Sequence, residues 1–529
     1  MTALTALPTE PDPWAFLLHR EDVVLERGIL HLLDPQATPD AARTADLLLL
    51  ADTLEKAGVP ALLFRHGVRV PALAVDAESR PAAIAALAEL GSREPLYAKL
   101  KGSAPVPTRE VAAAAGQADA LRVFRPRLVR PGGLAFGLEV AVRIEFWRSL
   151  DGEIHAPHEN ALMRQVTPED DLRVVEVERH GRTWHTIEGM FDRHPDEFTE
   201  DIDLVFSWVD GSSTEFQRQR AAQLAEYVVG EGDDGPARYR HIEELRYALR
   251  SVHMYAPWVR RIFIATDSPA PAWLLEHPKV TIVRSEEFFA DPSVLPTHNS
   301  HAVEAQLHHI EGLAEHFLYS NDDMFFGRPV WPEMFFTPGG VSKFVECGVR
   351  IGAGPTRLER SGHDNALRVN RALIQKRFGR VITRDLEHCA TPLRRSVMAE
   401  LEREFADEFA RTAASRFRSA SDISVTNCLY HYHALLTGRA VVTTQPRVRY
   451  VQTTMAASLP TIQRLTSDRR LDMFCLNDGG TAEVPESVRT RALRDALERM
   501  FPVAAPWERP EVSAGRAEAP SEARSSGQR

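Results

Sequence analysis

The sequence predicts an α/β fold in two parts: a mostly parallel sheet with flanking helices, and a separate α/β domain ahead of it. Strand-like and helix-like segments alternate from "TEDIDLVFSWVDGSS" to about residue 330, as they do in βαβ units. Residues 1–195 show helical and strand-like periodicities of their own. The chain has 529 residues, more than one core normally organises, so two or three domains are expected.

The N-terminal part, residues 1–195, is predicted to be an accessory domain. Helical periodicity in "ARTADLLLLADTLEKAG" precedes the strand-like "VPALLFRHG", and "LRVVEVERHG" also has the pattern of a strand. Its histidines are isolated, and isolated histidines are usually structural or surface groups. The start of the chain, "MTALTALPTEPDPWAF", has neither the basic nor the apolar region of a secretory signal. The role of this domain is left open.

The second part, residues 196–505, is predicted to be the larger domain. Segment 331–385 is rich in Gly, Pro and Arg and is predicted to be an irregular insertion. Helices are predicted again from "TPLRRSVMAELEREFADEFART" to "SVTNCLYHYHALLTG". The last residues, 506–529, lack periodicity and large apolar side chains, which predicts a disordered tail.

Charge, cysteine content and hydropathy exclude several classes of protein. A formal net charge of −11 argues against broad nucleic-acid binding, which normally needs a basic surface. Four cysteines without a C-x-x-C pair indicate neither a zinc ribbon nor a disulfide scaffold, and they fit a reducing cytoplasm. No apolar run approaches the roughly 18 residues of a membrane span. Peripheral contact with a membrane is left open.

Acidic residues follow three of the predicted strands. "DLVFSWV" ends at Asp210, "RIFIAT" ends at Asp267, and "HFLYS" ends at Asn321, Asp322 and Asp323. In open parallel sheets the ligand site lies outside the carboxyl ends of the strands, so these acids are expected to gather at one edge. Adjacent carboxylates repel one another unless a cation lies between them. Capping of turns and helices explains any single one, but three together favour Mg²⁺ (or Mn²⁺), held by Asp322 and Asp323.

The segment "RYRHIEELRYALRSVHMYAPWV", between the first two strands, is predicted to be a helix. Its buried face is formed by residues at helical spacing: Ile242, Leu245, Leu249 and Val252. Charged residues on the other faces are expected to be solvated or paired along the helix; they are Glu243, Glu244, Arg246 and Arg250.

Histidines are concentrated upstream of the paired aspartates, in "LPTHNSHAVEAQLHHIEGLAEH". Neither His298 with His301 nor His308 with His309 matches a zinc-binding pattern, so the local spacing argues against zinc. The loop "THNS" instead predicts a helix that begins near Ser300 and offers its N-terminal amides to a phosphate.

Four separated blocks together resemble the Stealth family of bacterial capsular and cell-wall polysaccharide phosphotransferases, which is related to the lysosomal-enzyme N-acetylglucosamine-1-phosphotransferase. The blocks are "DIDLVFSWVDGSS", the helix segment through "RRIFIATDSPAPAWL", "LPTHNSHAVEAQLHHIEGLAEHFLYSNDDMFFG", and "EHCATPLRRSVMAELEREF" through "SRFRSASDISVTNCLYHYHALLTGRAV". They span most of residues 200–440. The N-terminal domain and the tail lie outside the resemblance.

The resemblance implies a nucleotide-sugar transferase-like catalytic domain that uses a UDP-sugar donor, a glycan acceptor and Mg²⁺. It implies transfer of the sugar together with its phosphate, with release of UMP. The residues that match the family's catalytic positions are His388, Arg418, Asp210, Glu243 and Asp267. His388 is expected to accept the proton of the acceptor hydroxyl, and Arg418 to bind phosphate oxygens. Donor binding is assigned to Asn299 of the "THNS" loop and to Arg246.

Other functions remain open from the residues alone. A metal-dependent glycosyltransferase would release UDP, and its acidic metal motif resembles "NDD". A non-catalytic carbohydrate-binding or assembly protein could keep the fold, although it would not need His388, Arg418 and the paired aspartates together. The expected setting is the cytoplasm, with contact to a membrane-bound polysaccharide-assembly complex left open.

Overall fold

The computed structural model describes residues 15–67, 69–111, 118–130, 132–214, 217–218, 242–479 and 482–510. Over these residues the chain is a mixed α/β protein, which confirms the predicted class. The predictions for the first 14 residues and for residues 511–529 lie outside the described residues.

From residue 202 onward, twelve strands and nine α-helices are described, and both are numbered here in chain order. The strands are β1 (Ile202–Ser207), β2 (Ile262–Ala265), β3 (Val280–Val283), β4 (His316–Asn321), β5 (Met324–Phe326), β6 (Ser342–Phe344), β7 (Glu346–Arg350), β8 (Arg384–Leu386), β9 (Thr391–Arg394), β10 (Ala440–Val442), β11 (Val448–Gln452) and β12 (Met473–Asn477). The helices are α1 (Glu244–Tyr255), α2 (Ser285–Phe288), α3 (Ser300–Glu304), α4 (Gly362–Phe378), α5 (Arg395–Glu404), α6 (Ala406–Ala414), α7 (Tyr430–Leu436), α8 (Leu459–Leu465) and α9 (Glu486–Met500).

A five-stranded sheet in the order β3-β2-β1-β4-β9 organises this part of the chain. The first four strands run parallel, and β9 is antiparallel to β4. β1 and β2 are apolar and buried along nearly their whole length. Both of their faces are therefore covered, as is usual for parallel strands.

The predicted stripe of α1 is buried: Ile242, Leu245, Leu249 and Val252 are at most 2% exposed. Of the two alternatives for its charged residues, solvation is wrong for Glu244, Arg246 and Arg250, which are buried. Pairing along the helix is confirmed for Arg246, which pairs with Glu243 at 3.4 Å.

The segment predicted to be an irregular insertion, 331–385, contains regular structure, so that prediction is wrong. It includes β6, β7 and the 17-residue helix α4. Ser361 caps α4 by accepting a hydrogen bond from the Asp364 amide at 3.1 Å, and Gly379, at φ +65°, ends it. The arginines on α4 obscured its apolar face in the sequence.

The N-terminal part forms an eight-stranded sheet, a four-stranded sheet and a two-stranded hairpin. The predicted helix over "ARTADLLLLADTLEKAG" is present as Pro39–Lys56. The other α-helices described in this part are Ala15–Leu18, which precedes it in the chain, and Arg80–Leu90, which follows it. The strands are Val23–Glu26, Ile29–Leu33, Ala61–His66, Val70–Asp76, Tyr97–Lys99, Val106–Pro107, Ala120–Phe124, Arg127–Val129, Leu134–Phe136, Val142–Leu150, Glu153–His155, Val166–Pro168, Val174–Arg179 and Arg182–Ile187.

This N-terminal part has hydrophobic clusters of its own, but it also shares one with the rest of the chain. Val129 and Phe136 belong to the same buried cluster as Leu497 and Met500 of α9. Gly132 lies so close to the end of α9 that a Cβ atom there would be 2.5 Å from the Pro502 side chain. The predicted boundary at residue 195 therefore runs between two segments that share a core.

The prediction of a disordered tail is wrong for residues 506–510, which are described and packed. Trp507 and Glu508 are buried, at 1% and 6% exposure. Glu508 accepts hydrogen bonds at 2.7 Å from Arg246 Nε and from Arg250 Nε and Nη2, and another from the Ala505 amide. Composition suggested disorder, but these two side chains hold the segment against α1.

Replacing Glu508 by glutamine should lower the free energy of unfolding by about 3 kcal/mol, because it removes the negative charge that faces buried Arg250 and one of the acidic partners of Arg246. Urea denaturation followed by circular dichroism measures this. Glu498→Gln, at an exposed position on α9, is the matched control and should stay within about 0.5 kcal/mol of the parent. Equal midpoints for the two variants would contradict the structural role of Glu508.

Among the described residues, no helix combines the length and apolar character that crossing a membrane requires.

Candidate active site

A cavity of about 870 Å³ opens at the carboxyl edge of the central sheet. Residues at or just beyond the ends of β1 and β4 line it, together with residues of α3, α4 and β12. In the register of the sheet, Ser207 lies opposite both Ala265 and Asn321, so the ends of β1, β2 and β4 are level. The predicted convergence of three strand ends is confirmed.

The acids at these strand ends have different surroundings. Asp322 and Asp323 line the cavity, whereas Asp210 and Asp267 are not among the lining residues. Asp210 accepts hydrogen bonds from the amide and hydroxyl of Ser212, at 3.0 and 2.6 Å. Exposed Asp267 accepts one from the Ser285 amide at 2.8 Å, which caps α2. For these two residues, the structure shows the capping alternative.

Asp323 lines the cavity, and one of its carboxylate oxygens, Oδ1, is buried. Its Oδ2 accepts a hydrogen bond from Asn477 Nδ2 at 3.2 Å, and the neutral thiol of Cys475 also donates to the carboxylate. Burial raises the pKa of Asp323, and the charges of Glu244 and Asp478 raise it further. A carboxylate with a raised pKa that lies close to other acids is suited to a bound cation.

Asn477 and Asp478 were missed by the sequence predictions. Asn477 ends β12 and Asp478 follows it. This strand pairs with β5, which comes directly after the Asp322–Asp323 turn. Their sequence, "FCLNDG", repeats the pattern of "LYSNDD": an apolar strand that ends on Asn and Asp. This repeated pattern could have predicted from the sequence that Asn477 and Asp478 belong to the site.

His388 belongs to a three-residue group with His363 and Asp385, whose donor atoms lie within 4.8 Å of one another. His363 Nε2 donates to Asp385 Oδ2 at 2.8 Å, and the Leu386 amide donates to Oδ1 at 2.8 Å. Burial lowers the pKa of His388 to about 4, with further lowering by His363 and Arg418 and an opposing effect of Asp385. His388 is therefore a neutral imidazole at neutral pH and can accept a proton.

Arg418 lies in the cavity wall across from the sheet edge. Its Nη2 donates to the Ser300 hydroxyl at 2.8 Å. Gly362, at the start of α4, allows this approach, since a Cβ there would be 2.5 Å from the Arg418 Cβ. The guanidinium is thus held by Ser300 of α3, and the aliphatic part of the side chain lies against the start of α4.

Asn299 and Arg246, the residues assigned to donor binding, are not among the lining residues. Asn299 caps α3 and donates to Asp422 Oδ2 at 2.8 Å and to the Ser415 carbonyl at 3.1 Å. These bonds hold the loop that carries Arg418. Arg246 instead pairs with Glu508.

Glu243 also lies away from the cavity, and its neighbour Glu244 lines the wall. Glu243 has a left-handed backbone, at φ +64°, directly before α1. This conformation turns the first helical residue, Glu244, toward the site. The catalytic assignment of Glu243 stays a prediction, and Glu244 is the acid of this segment that lines the cavity.

The cavity wall is strongly acidic, which favours cations among its ligands. Its arginines are Arg418 and Arg449, against seven carboxylates: Glu244, Glu304, Asp322, Asp323, Asp385, Glu387 and Asp478. The oxygen donors near Asp322 and Asp323 suit a hard ion such as Mg²⁺. The imidazole-containing group at His388 would suit a softer metal such as Zn²⁺ better.

Four family models match the chain. They are Stealth protein CR1, conserved region 1, over residues 200–227; CR2, conserved region 2, over 238–344; CR3, conserved region 3, over 387–435; and CR4, conserved region 4, over 463–519. The resemblance stated from the sequence covered the first three and missed the fourth, which contains Asn477 and Asp478.

Several curated relatives match over most of their length. Exopolysaccharide phosphotransferase CpsY of Mycobacterium tuberculosis is 52% identical over 495 residues, which is 92% of each chain. An exopolysaccharide phosphotransferase of Nocardia farcinica is 60% identical over 368 residues, 70% of this chain and 73% of that protein. Exopolysaccharide phosphotransferase SCO6021 of Streptomyces coelicolor is 37% identical over 509 residues, 92% and 93% of the two chains.

Among solved structures, the galactosyltransferase LgtC in complex with donor and acceptor sugar analogs covers 56% of this chain and 95% of its own. The sequence identity is 11% and the TM-score 0.27, a likeness too weak to support an argument about fold or function.

Proposed function

We propose a sugar-1-phosphate transfer for this chain, which belongs to the Stealth protein family. The enzyme is a phosphotransferase of capsular or cell-wall polysaccharide synthesis, with a UDP-sugar as donor and a glycan hydroxyl as acceptor. The acceptor oxygen forms a bond to the phosphorus that carries the sugar, for example N-acetylglucosamine. The bond from that phosphorus to the bridging oxygen breaks, so UMP leaves and a phosphodiester remains.

One observation carries the proposal: His388, Arg418, Asp322 and Asp323 come from distant parts of the chain and line one cavity. They supply a proton acceptor, a fixed guanidinium and paired carboxylates. Phosphoryl transfer depends mainly on positioning and charge neutralisation, and these are the groups it requires.

Arg418 would bind the phosphate oxygens of the donor. Its planar guanidinium presents several N–H groups in a fixed fork, and the Ser300 hydroxyl occupies Nη2 on one side. The cavity of about 870 Å³ has the size of a small-molecule site and can hold a nucleotide sugar.

His388 would take the proton of the acceptor hydroxyl. Asp385 is held by the bond from His363 and by the Leu386 amide, so its charge stays fixed beside His388. When the hydroxyl proton moves to His388, the carboxylate of Asp385 stabilises the imidazolium. His363 and Asp385 therefore act as positioning residues.

Asp322 and Asp323 would hold Mg²⁺ (or Mn²⁺), with Asn477 and Asp478 beside them. When bound, the ion supplies positive charge to the diphosphate and to the leaving UMP. Without a cation, the buried carboxylate of Asp323 faces the like charges of Glu244 and Asp478.

Product analysis tests the proposal. The purified chain is incubated with Mg²⁺, a panel of UDP-sugars and glycan acceptors, and nucleotide products are separated while ³¹P NMR follows the phosphorus. UMP together with a new phosphodiester is the expected result. UDP would overturn it in favour of a glycosyltransferase, and donor binding without any product would favour a carbohydrate-binding protein.

Association with a membrane-bound assembly complex belongs to the same proposal, and co-sedimentation with membranes would test it.

The dependence of kcat/KM on pH should reflect the lowered pKa of His388. Because the neutral imidazole is the active form, kcat/KM should stay level down to about pH 5 and then fall with an apparent pKa of about 4. His388→Ala should abolish this limb and lower kcat/KM about 10²-fold at neutral pH. A limb that persists in the alanine variant would exclude His388 as the base. A limb near pH 6.5 that disappears in the alanine variant would contradict the lowered pKa but not the role of His388.

A further inference from the structure

Two adjacent histidines and a glutamate converge at a place that does not line the active cavity. His308 and His309 lie in the short turn Leu307–His309 ahead of β4, and Glu402 lies in the last turn of α5. The Nε2 atoms of the two histidines are 2.9 and 2.8 Å from the same glutamate oxygen, Oε2. One donor atom from each residue lies within 4.8 Å of the other two.

A second group of possible metal ligands, Glu400, Glu404 and His433, includes two residues of the same helix, but its charges are balanced differently. There, Glu400 binds Arg439 and Glu404 binds Arg377, so arginines already neutralise both carboxylates. Within the described part of the chain, the ion pairs of Glu402 are those with His308 and His309. Arg395, whose charge also acts on His308, donates to the carbonyl oxygen of that residue rather than to Glu402.

Two imidazole nitrogens directed at one carboxylate oxygen form a ready set of metal ligands. In the metal-free form both Nε2 atoms must carry a proton and crowd onto Oε2. A single divalent cation can take the place of these two protons at Nε2, and each proton then moves to Nδ1 of its neutral imidazole. Zinc bonds to nitrogen and oxygen of about 2.0–2.2 Å place tetrahedral ligands about 3.3 Å apart, so each Nε2 atom needs to move away from Oε2 by only a few tenths of an ångström.

The residue types select the metal. Two imidazoles and one carboxylate suit Zn²⁺, whereas Mg²⁺ prefers oxygen ligands alone. His308 is 2% exposed, while His309 and Glu402 are 27% and 26% exposed, so water can reach the fourth position. The local spacing of the histidines argued against zinc, but local spacing does not include Glu402, which is 93 residues from His309.

We propose that His308, His309 and Glu402 bind Zn²⁺, and that the ion cross-links the turn 307–309 to α5. The ion would bind the folded chain and not the unfolded one, and so raise the temperature of unfolding.

The test uses the full chain, stripped with EDTA, and measures zinc retained after gel filtration and the rise in Tm on addition of ZnCl₂. Glu402→Gln and His309→Gln remove one ligand each. Glu400→Gln, on the same helix, is the matched control. Addition of Co²⁺ reports the geometry, because four-coordinate sites with nitrogen ligands give visible absorption bands.

The parent and Glu400→Gln should retain one more equivalent of zinc than the two ligand variants, and show a larger rise in Tm. Equal zinc content in all four proteins would overturn the proposal and point to the group at His388 instead. Absence of zinc from the parent would also overturn it. If Glu402→Gln fails to fold by circular dichroism, His309→Gln decides, because that imidazole is partly exposed.

Discussion

Arg418→Lys is expected to lower kcat about 10³-fold while leaving the protein folded. Lysine keeps the positive charge, but its single ammonium group cannot present the planar pair of donors that two phosphate oxygens require. The stabilisation lost in the transition state is then about 4 kcal/mol. Because the guanidinium also donates to Ser300, the lysine side chain loses its fixed position as well.

Arg416→Lys provides a control two residues away. Arg416 is exposed and is not among the residues that line the cavity. Both variants carry the same change of chemistry in the same loop, so a difference between their rates reports the position of the side chain. Initial rates at saturating donor measure the effect. Full turnover by Arg418→Lys, or equal losses in both variants, would remove Arg418 from the catalytic machinery.

The parts of this molecule that were predictable from the sequence are those that depend on local pattern. Apolar runs such as "DLVFSWV" and "RIFIAT" predicted buried strands, and the geometry of parallel sheets then brings their ends to one edge. The paired aspartates at the end of β4 follow from this rule. The same rule did not separate Asp323 from Asp267, since an acid at a strand end can also cap the next helix.

The remaining site residues depend on contacts between distant segments. The side chains of Arg246 and Asn299 are chemically suited to binding a donor. In the structure Arg246 donates to Glu508 and Asn299 donates to Asp422, and both acceptors are distant in sequence. The position of Glu244 follows from one left-handed residue before α1, which no periodicity reveals. Local sequence pattern thus predicts the strands, whereas the residues that line the cavity depend on contacts between distant segments.

Asp323→Asn is expected to abolish most activity without loss of stability. The amide removes a negative ligand, so transition-state stabilisation of about 4 kcal/mol and roughly 10³-fold in kcat should be lost with the cation. The same change removes a buried charge whose pKa is raised by burial and by Glu244 and Asp478. In the absence of metal, the asparagine variant should therefore unfold at the same temperature as the parent or higher.

Asp267→Asn is the matched control, because Asp267 is a strand-end acid that caps α2 and is not among the cavity-lining residues. Asparagine is also a good cap, so this variant should keep its turnover and its Tm. Titrations with Mg²⁺ distinguish the roles: the ion should raise the Tm of the parent and of Asp267→Asn but not that of Asp323→Asn. If Asp323→Asn lost stability and kept its response to Mg²⁺, Asp323 would be a structural residue, and the cation would have to bind elsewhere in the acidic wall.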